Sequence, residues 1–110
     1  MSNVDQTMRN EAKIVRHMTE KLAEAGWVLF ETDDGGESIK TTTADEAIDV
    51  MHSVDESFIR FTKDGKVKTV YMITGNGNDG WDLIADYSTG DGFDEVLDSV
   101  NEKTSEWECA

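Results

Sequence analysis

No proline interrupts this chain of 110 residues, which excludes proline-rich linkers and leaves nine glycines to make the turns. Cysteine is almost absent too. Cys109 stands alone, so no internal disulfide can form and a reducing compartment suits the chain. The two histidines, His17 and His52, have no paired spacing with each other or with Cys109, and no transition-metal motif results. No metal or cofactor is expected from them. No apolar run approaches the roughly 18 residues of a membrane span, and the start MSNVDQTMRNEAK lacks the apolar core of a secretory signal. The expectation is a cytoplasmic protein.

Positive charge is the scarcest property of all, with ten Lys and Arg against twenty-four Asp and Glu and a net charge of −14. It is also unevenly spread. Up to Gly26, four acids (Asp5, Glu11, Glu20, Glu24) meet four bases (Arg9, Lys13, Arg16, Lys21), so the whole excess lies beyond that point. From Asn76 to Ala110 ten acids face Lys103 alone, a net charge of −9. A field of this sign repels nucleic acid and anionic membranes and attracts basic surfaces, including the grooves of nucleic-acid-binding proteins.

Between Asp5 and Ala25 the residues Met8, Val15, Met18, Leu22 and Ala25 recur at helical spacing, and Gly26 marks the stop. The intervening charges, Arg16 with Glu20 among them, read as a solvated face. Trp27 to Thr32 reads as a strand, Asp33-Asp34-Gly35-Gly36 as a turn, and Glu37 to about Thr41 as its partner. Thr43 and Glu46 form a capping-box pattern ahead of a short helix reaching about Ser53. Strands from Phe58 to Thr62 and from Val67 to Thr74 flank an Asp64-Gly65 hairpin. Trp81 to Tyr87 supplies a last strand, and Asp91 is placed to cap a helix with Phe93, Val96, Leu97 and Val100 on one face. The tail from Thr104 to Ala110 is expected to fray. One α+β domain over 1–110 follows, a five-stranded antiparallel sheet with helices packed on it, in the order α-β-β-α-β-β-β-α.

Chemistry is harder to find than architecture. Gly75-Asn76-Gly77-Asn78-Asp79-Gly80 spells the dinucleotide fingerprint, yet the alternation after it is that of a strand, and a phosphate site requires a helix there. The Asp/Gly/Asn clusters at 31–37, 76–82 and 86–95 carry many oxygens, but none supplies the helix–loop–helix calcium register. Turn chemistry accounts for them, with an irregular weak calcium site left open. Carboxylate pairs such as Asp33-Asp34, Asp55-Glu56 and Asp94-Glu95 follow from composition, no nucleophile elbow exists, and the reading is non-enzymatic with no catalytic residues. Both histidines read as surface residues, His52 at a helix end.

The charge pattern is more specific than the motifs. Asp91, Asp94, Glu95, Asp98 and Glu102 fall three or four apart, so a helix sets them in a line at spacings of about 6 Å, close to a run of phosphates. An ordinary solvated face is the alternative. The strand and loop acids Asp79, Asp82 and Asp86 extend this surface, and Trp81, Tyr87 and Trp107 offer apolar anchors beside it. Arg60, Lys63, Lys66 and Lys68 make one hairpin locally basic and able to pair with the acidic strands.

Asp34-Gly35-Gly36-Glu37, the Thr-rich lead into Asp45 to Met51, Asp55-Glu56, Asp64-Gly65, Gly75-Asn76-Gly77 and Ile84-Ala85-Asp86-Tyr87-Ser88 together resemble small phage and prophage proteins of unsettled function. This resemblance covers about half the chain and implies a viral origin. Glu37-Ser38-Ile39 ahead of the second helix is similar to the Glu-Ser-Ile strand of the phage uracil-DNA glycosylase inhibitor family, acidic DNA mimics. That likeness implies a strand lying in the enzyme's DNA groove, with Ile48 and Met51 as an apolar pocket wall.

The expectation is a non-enzymatic, phage-type acidic inhibitor that occupies the nucleic-acid site of a basic host protein of a defence or repair system, in the host cytoplasm. It uses no cofactor and contacts neither nucleic acid nor membrane. The alternatives are a glycosylase-inhibitor-like protein, an immunity-type protein against a basic toxin, and an acidic accessory domain adapted to high salt.

Overall fold

The computed structural model describes residues 3–76 and 78–109. Helix α1 spans Asn3–Glu24, strands β1 and β2 span Val28–Asp33 and Ser38–Lys40, and α2 spans Ala44–Met51. Then come β3 (Glu56–Lys63), β4 (Lys66–Ile73), a short 3-10 turn (Asn78–Gly80), β5 (Ile84–Tyr87) and α3 (Phe93–Glu108). The sheet is antiparallel in the order β2-β1-β3-β4-β5, the α+β arrangement and element order that the sequence predicts.

Alternation along the strands decides where the helices go. Ser57, Ile59 and Phe61 of β3 and Val70 and Met72 of β4 are buried, whereas Phe58, Arg60, Thr62, Thr69 and Tyr71 between them are half-exposed. One face is therefore core and the other open. The core face joins Ile14, Val15, Met18 and Leu22 of α1, Ile48 and Met51 of α2, and Phe93, Leu97 and Val100 of α3. Trp27 and Phe93 meet edge to face at 5.1 Å between ring centroids and anchor the start of β1 to α3.

Local chemistry fixes the element ends. Thr43 and Glu46 form the reciprocal capping box, the Glu46 amide donating to Thr43 Oγ1 at 3.2 Å and the Thr43 amide donating to Glu46 Oε1 at 3.2 Å. Thr43→Ala is expected to cost about 1 kcal/mol in urea unfolding, with little change in m value. At the first hairpin, Asp33 Oδ1 accepts from the Gly35 amide and Asp34 Oδ1 from the amides of Gly36 and Glu37, all within 2.9 Å. These are turn bonds, as the sequence implies.

Three expectations change. The last strand begins at Ile84 rather than Trp81, because the turn that follows the 3-10 segment takes in Trp81 and Asp82; within the strand, a bulge leaves Ala85 without a partner. The cap of α3 is Gly92 at φ 80, not Asp91. Asp91 accepts instead from Lys66 Nζ at 2.8 Å and lies 3.2 Å from Lys68 Nζ, and two ammonium groups hold a carboxylate more strongly than one amide. The tail is ordered helix through Glu108, since Thr104 is buried with its hydroxyl donating to Val100 O at 3.0 Å, and Trp107 packs on α1. Gly77 of the glycine-rich connection and Ala110 lie outside the described residues.

Candidate functional site

Strand β5 is a free sheet edge and α3 follows it, so the C-terminal acids border one side of the molecule. Phe93, Leu97, Val100 and Thr104 point α3 into the core, which leaves Glu95, Asp98 and Glu102 exposed and Asp94 half-exposed. The predicted residues are not equivalent. Asp94 Oδ1 accepts from the Gly90 amide at 3.0 Å, completing the helix start, and Asp98 accepts from the Tyr87 hydroxyl, which also receives a bond from Asn101 Nδ2. That bond to Asp98 raises the Tyr87 phenol above its ordinary range. Asp91 is drawn out of the set by its lysines, whose hydrogen bonds hold its carboxyl below the usual range. Asp79 is exposed at φ 53, and its carbonyl accepts from Asn10 Nδ2 at 2.9 Å. Asp82 is exposed in the turn ahead of β5, and Asp86 is exposed within β5.

The aromatic residues are chiefly structural. Trp81 and Trp107 lie 6.1 Å apart and are partly buried against the core. Trp107 also meets His17 edge-on at 5.2 Å and carries Lys13 Nζ 4.2 Å from its ring centroid. His17 is accordingly half-buried rather than on the surface, and desolvation, with Lys21 second, lowers its pKa.

Most cations are spent within the fold. Arg16 bonds Asp45 of α2 at 3.0 Å, not Glu20 as its helical spacing implies, Lys21 faces Glu24, and Lys103 faces Glu106. The basic hairpin pairs internally as its sequence allows: Arg60 reaches Glu31 and Asp33, Lys66 and Lys68 hold Asp91, and Lys63 Nζ donates to Ala25 O at 2.8 Å. Glu95 and Glu102 keep no cation among the described residues. Asp34, Glu46 and Asp91 are all held below the usual carboxylate range, the first two by backbone amides and Asp91 by lysine. A depressed folded-state pKa adds stability above the unfolded value that disappears as pH falls through the folded one. Stability is therefore expected to hold at pH 6 and to fall below about pH 4, as urea midpoints across pH would record.

The sequence reading misses one site. Glu11, placed on the charged face of α1, is 1% exposed and lines a cleft of about 400 Å³ between α1, the end of α2 and the start of the glycine-rich connection. Its Oε2 accepts from the Gly75 amide at 2.7 Å, and its Oε1 faces His52 Nε2 at 3.3 Å. His52 is thus 14% exposed instead of lying on the surface. Thr7, Met8, Val54, Asp55 and Thr74 complete the walls. A helical periodicity gives no sign that an acid faces inward, because its partner stands forty-one positions away. Of the hydroxyls lining the cleft, that of Ser53 donates to Val50 O at 2.6 Å and that of Thr74 to Met51 O at 3.1 Å.

The Glu37-Ser38-Ile39 likeness meets a different environment. Glu37, just ahead of edge strand β2, and Ser38 within it are exposed, but Ile48 and Met51 are 6% and 0% exposed in the core and form no open pocket wall. Among the described residues no group of three or more His, Cys, Asp or Glu is disposed to hold a metal ion, and no helix is long and apolar enough to cross a membrane. Comparison with protein-family models, with curated proteins and with solved structures found no match for this chain.

Proposed function

We propose that this protein is a non-enzymatic acidic inhibitor, of a kind phages use, which docks on a basic nucleic-acid-binding host protein and blocks its nucleic-acid site. The observation that carries the reading is the separation of charge: most of the bases are paired within the fold while Glu95, Asp98 and Glu102 of α3 stay exposed in a row. A fixed row of carboxylates on a helix offers a basic groove the spacing and sign of a nucleic-acid backbone. Long-range attraction then governs the association rate, so binding falls as salt rises.

The test combines capture with charge reversal. Immobilised protein at low salt is expected to recover a nucleic-acid-binding protein and to compete with its DNA or RNA. Replacing Glu95, Asp98 and Glu102 by lysine, three reversals of two units each, takes the net charge from −14 to −8. Association should slow by about 10- to 100-fold at low salt, as stopped-flow mixing would record. An acidic accessory domain adapted to high salt predicts the opposite behaviour: unfolding without molar potassium chloride and no competition with nucleic acid. Thermal melting against potassium chloride separates these readings.

A further inference from the structure

The open face of the sheet carries a row of side chains in register across four strands: Asp33 of β1 opposite Phe58 of β3, Phe58 opposite Tyr71 of β4, and Tyr71 opposite Asp86 of β5. Carboxylates bracket an aromatic pair. The rings of Phe58 and Tyr71 stack at 5.1 Å between centroids with 15° between their planes, and neither is covered by a helix. Val28 and Val67, on the same face of β1 and β4, are 60% and 54% exposed. Singly exposed valines are ordinary, but the half-exposed aromatic pair between two carboxylates is a combination of apolar and anionic surface suited to a flat cation.

The carboxylates differ in how far they are committed. Asp33 lies 3.4 Å from the Arg60 guanidinium, and Glu56 accepts from the Tyr71 hydroxyl, which raises that phenol above its ordinary range. Asp86 only accepts from the Tyr87 amide at 2.9 Å and meets no cation among the described residues. A shallow groove of about 340 Å³ runs here, lined by Phe58, Thr69, Tyr71, Asp86, Tyr87 and Ser88.

We infer that this groove takes an arginine side chain of the basic partner, its guanidinium lying against the aromatic pair and bonded to the Asp86 carboxylate. The inference rests on the proposed function and adds a second, residue-specific contact on another face. A planar guanidinium fits because it stacks on an aromatic ring and donates in its own plane, whereas a lysine ammonium stays strongly hydrated. Nucleic acid does not fit, because Asp86, Glu56 and Asp33 repel phosphate. A second copy of a chain of net charge −14 is disfavoured on the same ground.

The experiment titrates the full chain with hexa-arginine and hexalysine peptides, equal in charge, at low salt. Hexa-arginine is expected to bind about tenfold more tightly, with the largest amide shifts at Tyr71 and Asp86. Asp86→Asn, an exposed and nearly isosteric change, and Tyr71→Leu should each remove most of that preference, with circular dichroism confirming the fold. Glu102→Gln should weaken both peptides alike. Equal binding of the two peptides, or a preference that survives both groove variants, overturns this site and leaves the acidic-surface reading standing. Failure of both peptides to bind overturns both.

Discussion

Gly80→Ala is expected to destabilise the protein by about 3 kcal/mol or more, lowering Tm by about 12 °C or more. Gly80 sits at φ +88, and a Cβ there would stand 2.7 Å from Thr7 O and 2.8 Å from Glu11 Cγ. The first neighbour is helix backbone and the second a buried side chain, so neither can yield cheaply. This is where the connection between β4 and β5 is pressed onto α1, next to the Asn10 bond to Asp79 O. Gly35→Ala is the control. It has a similar φ of +95 with nothing within 4 Å, so it should cost only the left-handed strain, about 1 kcal/mol. Urea unfolding of the two variants isolates the close approach, and equal losses would show that this contact does not hold the connection.

That contrast also marks what the sequence makes legible. The capping box at Thr43 and Glu46, the Asp-Gly hairpin and the alternation of β3 and β4 are short-range signals, and the structure has each of them. Where two parts of the chain compete, local rules fail. Asp91 has the right type and place for a cap but lies within reach of Lys66 and Lys68, which sequence distance conceals. The helix beyond Thr104 looks polar by itself, yet it is held because Trp107 has His17 and Lys13 to pack on.

The candidate surface was legible in the same uneven way. The acids of α3 can be placed on one helix from spacing alone, and the helix presents Glu95, Asp98 and Glu102 to solvent. Their electrostatic weight, however, depends on where the cations go, and that is tertiary information. Asp33, Phe58, Tyr71 and Asp86 meet only through the register of four strands, so no local window of sequence brings them together.

Removing the Glu11 carboxylate is expected to have an effect of the same order as the glycine change, by a different route. Glu11→Ala leaves the Gly75 amide without its acceptor, removes the carboxylate facing His52 and opens a void against the cleft, so about 3 kcal/mol should be lost. Glu11→Gln keeps the volume and an amide oxygen for Gly75 while presenting an N–H group to His52, and its loss should be nearer 1 kcal/mol. Equilibrium urea unfolding at neutral pH measures both. If the pair fastens the cleft, hydrogen exchange at Gly75 and along the following turn should quicken in Glu11→Ala far more than exchange in β3. Uniform quickening would mean that Glu11 supports the core at large, and unchanged stability would mean that its burial is compensated elsewhere. Binding of the basic partner through α3 should survive Glu11→Gln, since the cleft lies apart from Glu95, Asp98 and Glu102.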